Sequence, residues 1–137
     1  NELQKKVKEL NLINHCYFPG NLDHHKLLNK YNNNEVDIVI SSSISIPDVF
    51  EGIPVSLMEA MSYEIPVIAT DCGGTKELVD GKSGILVKQK NSEAVANAIF
   101  KLMNKPEFSR KIGHNGRIKV KHDFDTMKNA SELIKMF

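Results

Sequence analysis

The chain has 137 residues, of which 41% are hydrophobic and 26% charged. This balance is typical of one folded domain and unlike collagen, disordered tails or disulfide miniproteins. The 18 Lys and Arg residues nearly match the 17 Asp and Glu residues, which argues against nucleic acid as the main partner. No apolar run approaches the ~20 residues of a spanning helix, and the charged N-terminal stretch is unlike a signal peptide. Because the chain begins with Asn1, we expect it to be a piece of a longer protein.

Hydrophobic periodicity predicts helices that alternate with short strands rich in β-branched residues. The expected helices cover residues 2–11, 22–31, 54–63, 75–79, 94–103 and 106–122, followed by a last one from Asp125 to about Phe137. The expected strands cover residues 13–18, 36–40, 65–70 and 84–87. This alternation predicts an α/β domain, a Rossmann-like parallel sheet with helices on both faces. Ligands bind such sheets at the carboxyl ends of the strands, so the loops of interest are 19–21, 41–53 and 71–75.

The cysteines and the paired histidines allow simple interpretations. Cys16 and Cys72 are far apart and form no CxxC motif, so we expect two buried, reduced thiols. The adjacent His24 and His25 point to different sides of a helix and make a poor metal pair. We therefore predict no metal site.

Basic residues are densest between Arg110 and Lys121. Such a segment would suit an anionic membrane surface. A solvated helix face is the simpler interpretation, and both remain open from the sequence.

A carboxylate in the helix after loop 41–53 needs an explanation. Apolar side chains occupy nearly every side of this helix, so we expect the helix to be mostly buried, with Glu59 in its second turn. Burying an unpaired carboxylate is costly, so Glu59 must be paired, protonated or facing a polar ligand. Glu51 precedes the same helix, where the helix dipole favours anions. The alternative that needs no ligand is that Glu51 caps the helix and Glu59 pairs with a lysine.

Two glycines stand between an expected strand and helix in loop 71–75. Gly73 and Gly74 would let the backbone approach a ligand, and the following helix N-terminus could hold a phosphate. A simple tight turn explains them equally well. The chain contains neither a GxGxxG fingerprint nor a phosphate-binding P-loop.

Several motifs in order resemble the retaining glycosyltransferases of family 4, the glycosyl transferases group 1. The two main motifs are EGIPVSLMEAM at residues 51–61 and IPVIATDCGG at 65–74; shorter matches are VDIVISS at 36–42, ELV at 77–79 and SGILV at 83–87. The resemblance covers nearly the whole chain. It implies the GT-B fold, which has two Rossmann-like domains with the active site between them. Residues 1–137 would be a single domain, most of the second, donor-binding one, without its first strand.

The resemblance also implies roles for individual residues. Glu51 matches the first Glu of the motif, which contacts the donor sugar near the reacting carbon, and we take it as the catalytic candidate. Glu59 matches the second Glu, which accepts hydrogen bonds from the nucleotide ribose; its two oxygens suit a vicinal diol. The other donor-binding candidates are Pro19 and Gly20 near the base, Gly52, Ile53, Pro54 and Val55 beside the sugar and diphosphate, and Gly73 and Gly74.

The chain departs from the family pattern at several places. Pro54, which has no N–H to offer a phosphate, replaces one glycine of the usual Gly-Phe-Gly. Glu64 stands where the family usually has Gly, and the segment 44–50 looks longer than usual, which affects where Glu51 would lie. The family's basic pair for the diphosphate, and its acceptor-side His, have no match in this sequence.

The resemblance implies a retaining glycosyltransferase that transfers a sugar from a nucleoside-diphosphate sugar to an acceptor, in surface polysaccharide or glycolipid synthesis, without a metal or other cofactor. The expected partners are the nucleotide-sugar donor and an N-terminal acceptor-binding domain of the same enzyme. We expect the chain alone to be inactive, and its location to be cytoplasmic, with an option of peripheral contact with the inner membrane face. The alternative class is a non-catalytic Rossmann-like or flavodoxin-like binding module, in which Glu51 and Glu59 are structural.

Overall fold

The computed structural model describes residues 1–47, 52–125, 130–131 and 134–135. Its helices are α1 (Glu2–Glu9), α2 (His24–Asn32), α3 (Val55–Ser62), α4 (Thr75–Leu78), α5 (Ser92–Asn104) and α6 (Pro106–Asp123). Its strands are β1 (Val39–Ser41), β2 (Val67–Thr70) and β3 (Ile85–Val87). The helix expected from Asp125 to Phe137 falls largely outside the described residues. Glu51 also lies outside them.

The three strands form one parallel sheet with β2 at its centre. Val39 of β1 lies opposite Val67, and Ile85 of β3 lies opposite Ile68. All four residues of β2 are buried, because this strand is paired on both edges and covered on both faces. A continuous apolar run is the pattern of such a strand. The prediction of an α/β domain with a parallel sheet is confirmed.

Alternate side chains of β2 point into two separate cores. Val67 and Ala69 face one of them, and Ile68 faces the other. The first core is closed mainly by Tyr31 of α2, by Leu57, Ala60 and Met61 of α3, and by Leu78 of α4. The second is closed by Ala98 and Leu102 of α5 and Ile112 of α6. Helices therefore cover both faces of the sheet, as predicted.

Helix α3 begins directly after Pro54, whose φ of −68° and ψ of 111° place it just outside the helix. Leu57, Ala60 and Met61 are completely buried, whereas Val55 is 61% exposed. The helix is thus enclosed on one face only, and the prediction that it is mostly buried was too strong. Its apolar residues outnumber the positions that the core can cover.

The strand expected over residues 13–18 is not formed. The N–H of His15 donates to the carbonyl of Leu12 in a turn, and Tyr17 is 87% exposed. A strand needs a neighbour for its backbone N–H and C=O groups, and the described strands pair only with one another. Cys16 in this segment is exposed, and only Cys72 is buried, so the prediction of two buried thiols was wrong for Cys16.

The basic residues of α6 lie among acidic side chains. Arg110 pairs with Glu107 on the same helix, and Lys119 lies 2.9 Å from a carboxylate oxygen of Asp123 and 3.8 Å from one of Asp80. This arrangement is typical of a solvated helix face. Within the described part of the chain, no helix combines the length and the apolar character needed to cross a bilayer.

Candidate functional site

The loops that follow β1 and β2 meet at the carboxyl edge of the sheet. Thr70, the last residue of β2, is buried, and its hydroxyl donates to the carbonyl of Ser43 at 2.5 Å. Gly74 packs against the segment that precedes α3: a Cβ added at Gly74 would lie 2.9 Å from Cγ1 of Ile53 and 3.3 Å from the carbonyl carbon of Gly52. The structure therefore brings Gly52, Ile53 and Gly74 together. Gly74 has no room for a side chain.

Gln89 ties the two loops together from the segment after β3. Its Oε1 accepts from the N–H of Ser45 at 2.7 Å, and its Nε2 donates to the hydroxyl of Ser45 at 2.9 Å and to the carbonyl of Asp71 at 2.6 Å. One side chain thus uses both ends of its amide to hold two loops. Gln89 could not be predicted as a site residue, because nothing near it in the chain distinguishes it from an ordinary polar surface residue.

The carboxylate of Glu59 has a partner within the protein. Its Oε1 lies 2.8 Å from Nε2 of His24 at the start of α2, with 28% of the Glu59 side chain and 58% of the His24 side chain still exposed. The partner is a histidine rather than the lysine that the ligand-free alternative predicts. The pair satisfies part of the carboxylate's hydrogen-bonding capacity while leaving it open to solvent.

Helix α2 packs beside this carboxylate. Burial raises the pKa of the Tyr31 hydroxyl, and the negative charge of Glu59 raises it further, because both disfavour a phenolate. The Tyr31 ring also lies 5.8 Å from the ring of Tyr63, just after α3. Glu59 therefore has a histidine and a buried tyrosine of α2 as neighbours.

The position of His24 follows from the helix that carries it. The side chain of Asp23 caps α2 by accepting from the N–H of Lys26 at 3.2 Å. Leu27, Leu28 and Tyr31 pack into the core, and His24 precedes them at the spacing of one helix face. This spacing is the sequence signal that could have placed His24 on the core-facing side of α2, whereas its pairing with His25 indicates only a poor metal site. Their rings are 6.3 Å apart, and the described residues contain no group of three or more potential metal ligands.

The remaining candidates occupy the surface around these loops. Pro19, Gly20, Gly52, Val55 and Gly73 are exposed, whereas Ile53, Pro54 and Gly74 are half-buried. The turn at Pro19 and Gly20 lies at the start of the segment that leads to α2, and so to His24. Glu51 lies outside the described residues, so its catalytic role stays a prediction.

The parallel sheet, with the loops after β1 and β2 meeting at its carboxyl edge, defines a Rossmann-like α/β domain. Residues 1–119 match the model of the glycosyl transferases group 1. The chain belongs to this family.

The relatives of the chain include enzymes of polysaccharide synthesis. It is 33% identical over 123 residues, 89% of its own length, to EpsD of Bacillus subtilis, which is named as a glycosyltransferase. It is 36% identical over 81 residues, 58% of its length, to the capsular polysaccharide biosynthesis glycosyltransferase CapM of Staphylococcus aureus. The chain spans 29% of EpsD and 21% of CapM, less than a third of either relative.

Solved structures show the same fold. Sucrose-phosphate synthase from Thermosynechococcus elongatus matches with a TM-score of 0.81 and 29% identity, over 98% of this chain and 32% of that one. HepE of Anabaena, solved in complex with UDP-glucose, matches with a TM-score of 0.79 and 26% identity, over 99% of this chain and 36% of that one. The likeness confirms the prediction of a domain of GT-B glycosyltransferases.

Proposed function

We propose that the chain is the donor-binding domain of a retaining glycosyltransferase. The enzyme transfers a sugar from a nucleoside-diphosphate sugar to an acceptor in the synthesis of a surface polysaccharide or glycolipid. One observation carries the proposal. The half-buried Glu59 carboxylate lies on α3, and the segment just before α3 packs against Gly74 through Gly52 and Ile53. A carboxylate and closely packed loop backbone at this edge of the sheet suit a polar ligand that carries a diol and phosphates.

In this proposal the protein acts by positioning the donor and by stabilising charge. Glu59 accepts hydrogen bonds from the ribose hydroxyls, and Glu51 contacts the donor sugar near the reacting carbon. The backbone from Gly52 to Val55 faces the sugar and the diphosphate, where N–H groups of the first turn of α3 stabilise the negative charge of the departing diphosphate. Pro54 contributes no N–H to this set. The turn at Pro19 and Gly20 lies beside the nucleobase, and no metal or other cofactor takes part.

The proposal assigns the acceptor to a second domain of the same enzyme. Support comes from the relatives, which are more than three times as long as the matched region, and from HepE, which was solved in complex with UDP-glucose. The chain alone is then inactive, because a GT-B active site needs both domains. Detection of sugar transfer by the isolated chain would contradict this part. We place the enzyme in the cytoplasm, with peripheral contact with the inner membrane face as an option.

Nucleotide titration followed by amide chemical shifts tests donor binding. UDP, GDP and ADP are each added to the labelled chain. We expect shifts confined to residues 18–24, 52–59 and 71–75 with at least one of the three. Silence of all three at millimolar concentration in a folded sample would overturn the proposal. It would favour the non-catalytic binding module instead.

The role of Glu59 is tested by Glu59→Gln, with Glu77→Gln on the exposed surface of α4 as the control. A hydrogen bond to a charged group is worth about 2 kcal/mol, so Glu59→Gln should weaken nucleotide binding roughly tenfold or more. Glu77→Gln should leave it unchanged. Equal affinities of the two variants would show that Glu59 is structural.

A further inference from the structure

We infer that His24 is a positioning residue for the ribose of the donor. Its hydrogen bond to Glu59 fixes the carboxylate so that both oxygens can meet the two ribose hydroxyls together. This inference rests on the proposed function, and it assigns to α2 a part in recognising a ribonucleotide over a deoxyribonucleotide.

The placement of His24 is determined by the fold. Asp23 caps the helix, and the packing of Leu27, Leu28 and Tyr31 sets which face of α2 turns toward α3. His24 lies on that face at the end of the row, with its Nε2 at 2.8 Å from Oε1 of Glu59. The position of the helix therefore directs Nε2 of His24 toward Glu59.

The chemistry of a carboxylate explains why the hydrogen bond from His24 affects how Glu59 binds a diol. The terminal torsion of a Glu side chain has a broad energy minimum, so a lone carboxylate on the surface rotates freely. With His24 donating from Nε2, Oε1 keeps a further lone pair and Oε2 keeps its acceptor sites. A vicinal diol donates two hydrogen bonds at once and therefore benefits most from a carboxylate in one orientation. A 2′-deoxyribose offers only one of these hydroxyls.

The selectivity between a nucleoside diphosphate and its 2′-deoxy form is therefore the informative measurement. UDP and 2′-deoxy-UDP are the first pair, and the GDP or ADP pair takes their place if the titration shows that only that nucleotide binds. Dissociation constants for both are measured by NMR titration of the wild-type chain and of His24→Ala, His24→Gln and His25→Ala. His25 is the matched control, because it is adjacent to His24 but points away from this face of the helix. The amide spectrum of each variant shows whether it is folded.

We expect His24→Ala to weaken UDP binding roughly three- to tenfold, the scale of one typical hydrogen bond, and to weaken 2′-deoxy-UDP binding less. The ratio of the two constants then shrinks. His24→Gln should restore much of the ratio, because its amide N–H can donate to the carboxylate at similar reach. His25→Ala should behave as wild type. A merely structural role would lower both affinities equally and leave the ratio unchanged.

The outcomes separate this inference from the proposed function. If the wild-type chain binds UDP and Glu59→Gln weakens binding, but His24→Ala keeps the wild-type ratio, the role of His24 is refuted and the donor site stands. If the wild-type chain binds no nucleotide, the donor site is refuted and the role of His24 falls with it.

Discussion

Gly113 of α6 lies so close to Glu64 that a Cβ at position 113 would be 2.0 Å from the Glu64 carbonyl oxygen. Three residues further on, a Cβ at Gly116 would be 3.0 Å from the carbonyl of Ser83 and 3.3 Å from Cγ of Met61. Gly113 places α6 directly against the backbone just after α3, and Gly116 places it against the Ser83 carbonyl and the Met61 side chain of α3. Because α3 carries Glu59, this contact helps to fix the helix on which the candidate site is built.

Gly113→Ala should destabilise the protein strongly. Alanine favours a helix interior over glycine by about 1 kcal/mol, but a backbone carbonyl at 2.0 Å cannot move aside as a side chain could. Overpacking of this kind costs about 1–3 kcal/mol or more, and the gain in helix propensity offsets part of this cost, so we expect the free energy of unfolding to fall by ~2 kcal/mol. Urea unfolding measures it, with Lys111→Ala on the exposed face of α6 as the control. A Gly113→Ala variant as stable as the control would show that α6 can shift away from Glu64.

Glu64 itself has a strained backbone. Its φ is +61°, a conformation that costs an L-residue roughly 1–2 kcal/mol and glycine almost nothing. The glycine that the family pattern has at this position would avoid this cost. The side chain offsets little of the cost, since its contacts with Arg117 and His114 are 3.5 Å long and exposed.

Glu64→Gly should therefore stabilise the protein relative to Glu64→Ala. Both substitutions remove the same surface contacts, but only glycine relieves the strain at positive φ. We expect Glu64→Gly to exceed Glu64→Ala by about 1 kcal/mol in the free energy of unfolding, measured from urea midpoints at pH 7. If alanine proved equal to glycine, the backbone at position 64 would have relaxed to a negative φ.

The parts of the fold that were predicted correctly are those with a local pattern. The apolar run at residues 65–70 predicts a strand and the helical spacing at residues 94–103 predicts a helix, and the structure has both, as β2 and α5. Residues 13–18 have the same β-rich composition, but composition does not supply a pairing partner, and the segment forms turns instead. Strand formation depends on a neighbour that may be distant in the chain, so a short run cannot determine it.

In the candidate site, too, some features follow from a local sequence pattern and others depend on residues distant in the chain. The position of Glu59 in an apolar helix indicates that its carboxylate needs a partner, yet it does not identify the partner. His24 could have been found from its helical spacing with Leu27 and Tyr31, whereas the link between Gln89 and Ser45 joins residues 44 positions apart. Such a contact is created by the parallel sheet, which brings the ends of separate strands to one edge.

Asp80 should make stability depend on pH in the acid range. Burial alone would raise the pKa of its carboxyl, but hydrogen bonds donated by the Lys82 N–H, the Ser83 hydroxyl and the Ser83 N–H, with the charge of Lys119, hold it below the ordinary value of 3.8. A group with a lowered pKa in the folded state stabilises the fold above its unfolded pKa, and this contribution is lost as the pH falls through the folded pKa. We therefore expect stability to decline below about pH 4.

Asp80→Asn isolates this contribution. The amide oxygen of asparagine can still accept from the two backbone N–H groups but does not titrate in this range. The variant should be less stable than wild type at pH 7, and the difference should shrink as the pH falls from about 4. Thermal unfolding at pH 7, 4 and 3 gives the comparison. A difference that stays constant over this range would mean that Asp80 does not account for the acid dependence.

Gln89→Ala should loosen the two loops of the candidate site without disturbing the core. Alanine loses the three hydrogen bonds of the Gln89 side chain, each of which contributes about 0.5–1.5 kcal/mol, so we expect a fall of ~2 kcal/mol in the free energy of unfolding. The sharper readout is hydrogen exchange at the Ser45 amide, whose acceptor is Gln89 Oε1 at 2.7 Å; its protection should be lost.

Gln89→Glu distinguishes the role of the accepting Oε1 from that of the donating Nε2. A carboxylate still accepts from the Ser45 N–H but cannot donate to the carbonyl of Asp71, so protection at Ser45 should remain while the amide shifts around Asp71 change. Lys88→Ala, an exposed neighbour, should alter neither. Exchange of the Ser45 amide at the wild-type rate in Gln89→Ala would show that Gln89 does not join the two loops. The loop after β1 would then be held by its other contacts, such as that between Thr70 and Ser43.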